Sequence, residues 1–421
     1  MNSSKNSWIA RLLATGILFA PAIAQAAEFV PGRGISMDQW VTWPDAARWN
    51  EPDIIENFPE WQSFVSDDEI ASLKQAGLTT VRMPVDPAMF LYDDNPERQA
   101  ALFASVHRAI ERIAEQDLNI IVDLHTISRF DSEQAIGVSQ ILDDDLTFVT
   151  YLALVEKMAA ELAKYDPESV ALELINEPAY DCYQTELVAL WYAQLSQLHV
   201  AARKANGKIS LVLSGACHGS AYALTQFDPA QFNDDNILWT FHTYAPFILT
   251  HQSADWVGKP VSAFQNLPYP PSNLTAQTVE NMPRVNGEFI NGTLRGSERS
   301  DAGWYIRNEF EKWGSEDRLG PYMQKRFVTV ANWATKHGID PASIYLGEFG
   351  FIAQEYGKRF KTDPAWRLAY LNDMIALAEQ HGFGWSIWSF GGAFGMVQTF
   401  GGEPMPGNLL MQLNLKAKTE G

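Results

Sequence analysis

Eight short apolar runs punctuate this chain, and most are separated by segments with helical periodicity. They cover residues 32–40, Thr79–Pro84, Asn119–His125, the run from Val170, Ile209–Ser214, Ile237–Tyr244, Ser343–Gly350 and Gly384–Phe390. Strand alternating with helix argues for a parallel sheet, and eight such units with polar side chains at their exits argue for a closed (β/α)8 TIM barrel. An open doubly wound sheet is the alternative. It carries a Gly-rich phosphate turn after its first strand, whereas Gly32-Arg33-Gly34 precedes the strand body and lacks the third glycine. Helices are expected from a capping box at Ser66-Asp67-Asp68-Glu69 to Gly77, over about Arg98–Gln116, Leu146–Lys164, Thr185–Ala205, Met323–His337 and Ala365–Gln380. Residues 245–319 are rich in Pro, Gly, Asn and Ser with little periodicity, and read as a long loop excursion after strand six.

A length of 421 residues permits two or three domains, but the pattern describes one elaborated barrel over 27–421. Before it, Lys5 and Arg11 lead into an apolar stretch from Leu12 to Ala24, closed by Ala24-Gln25-Ala26. That order is a secretory signal, residues 1–26, and places the mature protein in the periplasm or outside the cell. No later run approaches the ~18 apolar residues of a membrane span. Losing Lys5 and Arg11 takes the formal charge from −20 to −22. Such acidity disfavours nucleic acid and anionic membranes and suits a neutral partner such as polysaccharide.

The run Val170-Ala171-Leu172-Glu173-Leu174-Ile175-Asn176-Glu177-Pro178 fits a strand buried on both faces that Pro178 cannot continue, which leaves Glu177 at its carboxyl end. Ser343-Ile344-Tyr345-Leu346-Gly347-Glu348-Phe349-Gly350 has the same form. Two acids at strand exits four and seven face each other across a barrel mouth. Hydrolysis of a glycosidic bond with retention requires such a pair: one carboxylic acid to protonate the leaving oxygen, and one carboxylate about 5 Å away to attack the anomeric carbon.

These residues resemble glycoside hydrolase family 5, the cellulase-type family of clan A. The resemblance is carried by Asn176-Glu177-Pro178, Arg82 in Val81-Arg82-Met83-Pro84, His125 in Asp123-Leu124-His125, His242 and Tyr244 in His242-Thr243-Tyr244, Gly347-Glu348-Phe349-Gly350, and Trp388. It spans about Gly32 to Phe390 and implies a retaining glycosidase, with Glu177 as acid/base and Glu348 as nucleophile. Arg82 and Tyr244 would then hold Glu348 ionised, and Asn176 would bind the sugar 2-hydroxyl. His125 and His242 would bind sugar or orient the acid/base, and Trp388 would form a flat floor for a pyranose. Ser36-Met37 stands where many members carry Asn-Leu or Asn-Phe, and with the long excursion this departure bears on the substrate rather than on the reaction.

The expected activity is endo-hydrolysis of β-1,4-glucan without a cofactor. Mannan, mixed-linkage glucan or a secreted exopolysaccharide are alternative substrates, and a non-catalytic carbohydrate-binding barrel is the alternative of another kind. No metal is expected: Asp123, His125, His242 and His251 lack His-x-His or His-Glu-x-x-His spacing, and Asp143-Asp144-Asp145 suits a helix start better than a calcium loop. Trp43, Trp49, Trp61, Trp239, Trp256, Trp304, Tyr305 and Trp313 either line a sugar cleft or pack loops. The two cysteines, Cys182 and Cys217, each follow a strand end, so a disulfide between them and two buried thiols both remain open.

Overall fold

The computed structural model describes residues 28–38, 40–43, 48, 49, 51, 65–126, 137–271, 296–413 and 415. The segment expected to be a signal, and Trp61, lie outside them. Eight parallel strands close a barrel in sequence order: β1 (Arg33–Ser36), β2 (Thr80–Val85), β3 (Asn119–Leu124), β4 (Val170–Glu173), β5 (Ser210–Ser214), β6 (Ile237–His242), β7 (Ile344–Phe349) and β8 (Gly384–Ile387). Closure is made by β1 against β8, with Gly34 opposite Ser386.

The strands are largely apolar because both faces are covered. Val81, Met83, Ile120, Val122, Leu172, Leu211, Phe241, Leu346 and Trp385 point outward into the main core beneath the helices. Their alternates point inward. Near the bottom, Ile121, Ala171, Val212, Leu238 and Tyr345 form a separate core that Phe29 plugs just ahead of β1. One layer up, the same inward faces carry Arg82, Asp123 and Glu173 rather than apolar groups. The polar site therefore grows out of the strand alternation itself.

The main helices are α1 (Asp67–Gln75), α2 (Pro96–Ala114), α3 (Asp145–Leu162), α4 (Thr185–Ala205), α5 (Ser297–Trp313), α6 (Glu316–His337) and α7 (Pro364–Gln380). Their starts follow local chemistry. Ser66 and Glu69 form the capping box of α1 at 3.2 and 2.8 Å, and Asp144 accepts from Thr147 N at 2.8 Å to cap α3. Among the described residues, no helix is long and apolar enough to cross a membrane.

Two boundaries depart from the sequence reading. The excursion contains α5, whose buried Ala302, Ile306 and Trp313 lie at helical spacing within a highly charged segment. Helix α6 begins at Glu316 rather than Met323, because Gly320 and Pro321 interrupt the periodicity without ending the helix. Cys182 and Cys217 are joined as a disulfide, with Cα atoms 5.4 Å apart. It ties the loop after β4 to the turn after β5.

Candidate active site

Arg82 on β2 is the centre of the mouth. Fully buried, its guanidinium donates through Nε and Nη2 to Glu173 (2.7 and 3.0 Å), through Nη1 to Glu348 Oε1 (2.7 Å) and through Nη2 to Asn176 Oδ1 (2.8 Å), and it lies 2.9 Å from Asp123 Oδ2. Burial disfavours the guanidinium charge, but Asp123, Glu173 and Glu348 outweigh it and raise its pKa well above the ordinary value. The planar fork explains the residue type, since a lysine ammonium could not serve acceptors on three strands at once.

Glu348 stands directly above this cation. Simple alternation would place Gly347 inward and Glu348 outward, but the registers of β7 with β6 and with β8 both shift here, pairing His242 with Glu348 and turning the acid into the mouth. Glycine at 347 is a packing requirement: a Cβ there would lie 2.5 Å from Thr240 Oγ1 and 2.7 Å from His242 Nε2. Tyr244 donates its hydroxyl to Glu348 Oε2 at 2.8 Å. Burial alone would raise the Glu348 carboxyl, yet His242, Arg82, His125 and the Tyr244 hydrogen bond together hold it at about 2.

Glu177 does not end its strand. Strand β4 stops at Glu173, and Glu177 comes after a further turn with φ of 45°, a left-handed conformation that is uncommon outside glycine. Such backbone persists only where surrounding structure enforces it. Glu177 Oε1 accepts from His242 Nδ1 at 2.8 Å, and its side chain keeps 28% of its surface open to the cleft. Glu177, His242 and Glu348 present atoms all within 4.8 Å of one another. Their spacing would also suit a cation, but Arg82 donates to Glu348 Oε1, Tyr244 to Glu348 Oε2 and His242 Nδ1 to Glu177, so each of the three residues is already engaged.

The remaining residues complete one continuous network. Asn176 turns its carbonyl to Arg82 and its amide to His125 Nε2 at 3.2 Å, while His125 Nδ1 donates to Asp123 at 2.8 Å. The His125 ring stacks on Trp388 with centroids 5.3 Å apart and 15° between planes. Arg82, His125, Asn176, Glu177, His242, Tyr244, Glu348 and Trp388 are thus all brought together at the mouth.

Two acids of the site were absent from the sequence-derived set. Glu173 shares Arg82, and its signal was a charged residue inside an otherwise apolar strand, which demands a buried partner. Asp38, just beyond β1, accepts from Gly391 N at 3.0 Å and so fastens the turn that follows Trp388. Burial pushes its carboxyl up to about 7 against hydrogen bonds from Gly391 and Ser389. Of the aromatic residues left open, Trp43, Trp49, Trp239 and Trp313 are core, while Trp256 and Trp304 are exposed.

A family model described as Cellulase (glycosyl hydrolase family 5) matches residues 53–394. The chain is 23% identical over 366 residues to "Endoglucanase 3" of Fibrobacter succinogenes, covering 81% of this chain and about half (50%) of that longer protein. It is 22% identical over 333 residues to "Endoglucanase C" of Acetivibrio thermocellus, covering 78% of this chain and 85% of that one. Among solved structures, the cellulose synthase subunit Z of Clostridioides difficile superposes with a TM-score of 0.61 at 21% identity, over 90% of this chain and 98% of that chain, which shows a shared fold.

Proposed function

The chain belongs to glycosyl hydrolase family 5, and from that premise we propose that it is an endo-acting, retaining β-glycosidase that cuts β-1,4-glucan, with Glu177 as acid/base and Glu348 as nucleophile. The observation that carries this reading is the acid pair: carboxylate oxygens within 4.8 Å of each other leave no room for the water that an inverting enzyme places between acids about 6.5–9.5 Å apart. The endoglucanase relatives support glucan as the substrate. Export by cleavage after residue 26, leaving one catalytic domain, is part of the same proposal.

In the first step an oxygen of ionised Glu348 attacks the anomeric carbon, the bond to the leaving oxygen breaks, and that oxygen takes its proton from Glu177. In the second, Glu177 as carboxylate takes a proton from water. The water oxygen bonds to the anomeric carbon as the ester to Glu348 breaks, which regenerates both groups. Because the carbon is attacked twice from opposite faces, its configuration is retained. Asn176 binds the 2-hydroxyl in this reading, supported by the way Arg82 and His125 orient its amide, and Trp388 supplies a flat floor for the sugar.

Proton NMR of the first product released from a soluble β-1,4-glucan is expected to show the β-anomer before mutarotation. An α-anomer as first product, or no release of reducing ends from β-1,4-glucan while mannan, mixed-linkage glucan or an exopolysaccharide is cut, contradicts the proposal.

The pH dependence carries a second expectation. A carboxyl held at about 2 in the folded protein is ionised down to very low pH, so its contribution to stability and rate is present above its unfolded value and is lost as pH falls toward 2. Tyr244→Phe removes a hydrogen bond that favours the ionised form, worth roughly one pH unit. The acid limb of kcat/KM that reports Glu348 is therefore expected to move upward in the variant. An unmoved limb would show that Tyr244 does not tune this carboxylate.

A further inference from the structure

Two tyrosines on the loops that follow β4 and β5, at the end of the barrel that carries the acid pair, are exposed to water. Tyr183, in the loop after β4, is 78% exposed, and Tyr222, in the short helix Ala221–Leu224 after β5, is 49% exposed. Their rings are stacked, with centroids 5.2 Å apart and 18° between planes. A pair that existed to cover the chain beneath would be hidden by it. These rings instead use one face on each other, with Tyr183 largely open and Tyr222 half-buried.

The support beneath them is rigid and continuous with Glu177. Pro178 O accepts from His218 N at 3.0 Å and Tyr180 O accepts from Cys217 N at 2.9 Å. The Cys182–Cys217 disulfide follows, immediately before Tyr183, and Gln226 Nε2 donates to Cys182 O at 3.1 Å from beyond Tyr222. The other side of this strap packs on the catalytic wall, where Gly219 lies against the His242 ring and Ser220 bridges to His242. Tyr183 is six residues from Glu177, so the platform begins within at most about 20 Å of it.

We propose that Tyr183 and Tyr222 form a carbohydrate-stacking platform that holds the β-linked polysaccharide on its leaving-group side, beyond the bond that is cut. The proposal rests on the roles given above to Glu177 and Glu348. The nucleophile approaches the anomeric carbon from the face opposite the leaving oxygen, and the acid lies on the leaving oxygen's side, so the loops that continue from Glu177 flank the departing chain. Exposed aromatic faces suit the apolar faces of pyranose rings, and a neutral polymer meets no repulsion from a chain of net charge −20. The disulfide sets both rings before binding, which lowers the ordering penalty on association.

The test is native gel electrophoresis of the full chain carrying Glu348→Gln, which prevents hydrolysis, through gels with increasing hydroxyethylcellulose, a neutral soluble β-1,4-glucan. Adding Tyr183→Ala and Tyr222→Ala together is expected to raise the apparent Kd about tenfold, while adding Tyr183→Phe and Tyr222→Phe keeps it within about twofold. An unchanged Kd for the alanine pair, an equal loss for the phenylalanine pair, or no retardation of the parent protein overturns the platform. The two readings fail separately. If the wild-type chain is retarded through its tyrosines but releases no reducing ends, the catalytic roles fall and the platform stands; if it hydrolyses the glucan and the alanine pair binds as tightly as the parent, only the platform falls.

Discussion

Glu348→Gln is expected to reduce kcat on β-1,4-glucan by roughly 10⁴-fold or more, about 5.5 kcal/mol of transition-state stabilisation at ~1.36 kcal/mol per tenfold, while the protein folds as before. The substitution is nearly isosteric and keeps hydrogen-bonding capacity toward Arg82 and Tyr244, which hold this side chain at 2.7 and 2.8 Å. What it removes is the anionic oxygen that, on the proposed mechanism, bonds to the anomeric carbon. Without it no glycosyl ester forms, and the network around Arg82 has nothing reactive to hold. A variant that released reducing ends at the wild-type rate would show that another group attacks.

The second large effect lies in the support of that carboxylate. Arg82→Met is expected to destabilise the fold by about 3–5 kcal/mol, because removing one partner of a buried ionic network leaves its counter-charges unpaired. Three carboxylates converge on this guanidinium, those of Asp123, Glu173 and Glu348, and all three are buried. The pH dependence identifies the cause. With the cation gone, burial raises the folded-state carboxyl values above their unfolded ones, so the penalty grows as pH rises from about 4.5. The variant should therefore lose less stability at pH 5 than at pH 7 in urea denaturation, and Glu173→Gln in the same chain should restore part of the loss. A penalty below about 1 kcal/mol at pH 7, or one independent of pH, contradicts this account of the network.

Much of this architecture is legible in the sequence because both faces of each barrel strand are buried, so each strand reads as a mostly apolar run with polar groups toward its exit. All eight runs form the eight strands in order, and the residues that carry the family resemblance meet in one network although Arg82 and Glu348 are 266 residues apart. What escaped was set by tertiary contacts. Glu173 is a lone acid inside an otherwise apolar run, and it is Arg82, two strands away across the barrel interior, that makes it tolerable there. Asp38 gains its meaning from Gly391, at the far end of the chain. The left-handed turn at Glu177 and the register shifts that aim Glu348 are backbone adjustments with no compositional mark. Helix α5 was hidden by its charge, and the Cys182–Cys217 pairing needed the adjacency of β4 and β5, which the structure supplies.

The central claim is that Glu348 forms a covalent bond to the sugar while Glu177 acts on the departing oxygen. A 2-deoxy-2-fluoro cellobioside with a good leaving group tests it directly, since fluorine beside the anomeric carbon slows both steps and the leaving group speeds the first, so the intermediate accumulates. Mass spectrometry of the digested protein is expected to find one fluorocellobiosyl group on the peptide containing Glu348. Attachment to Glu177 or to any other residue, or turnover of the reagent with no adduct, would contradict the account.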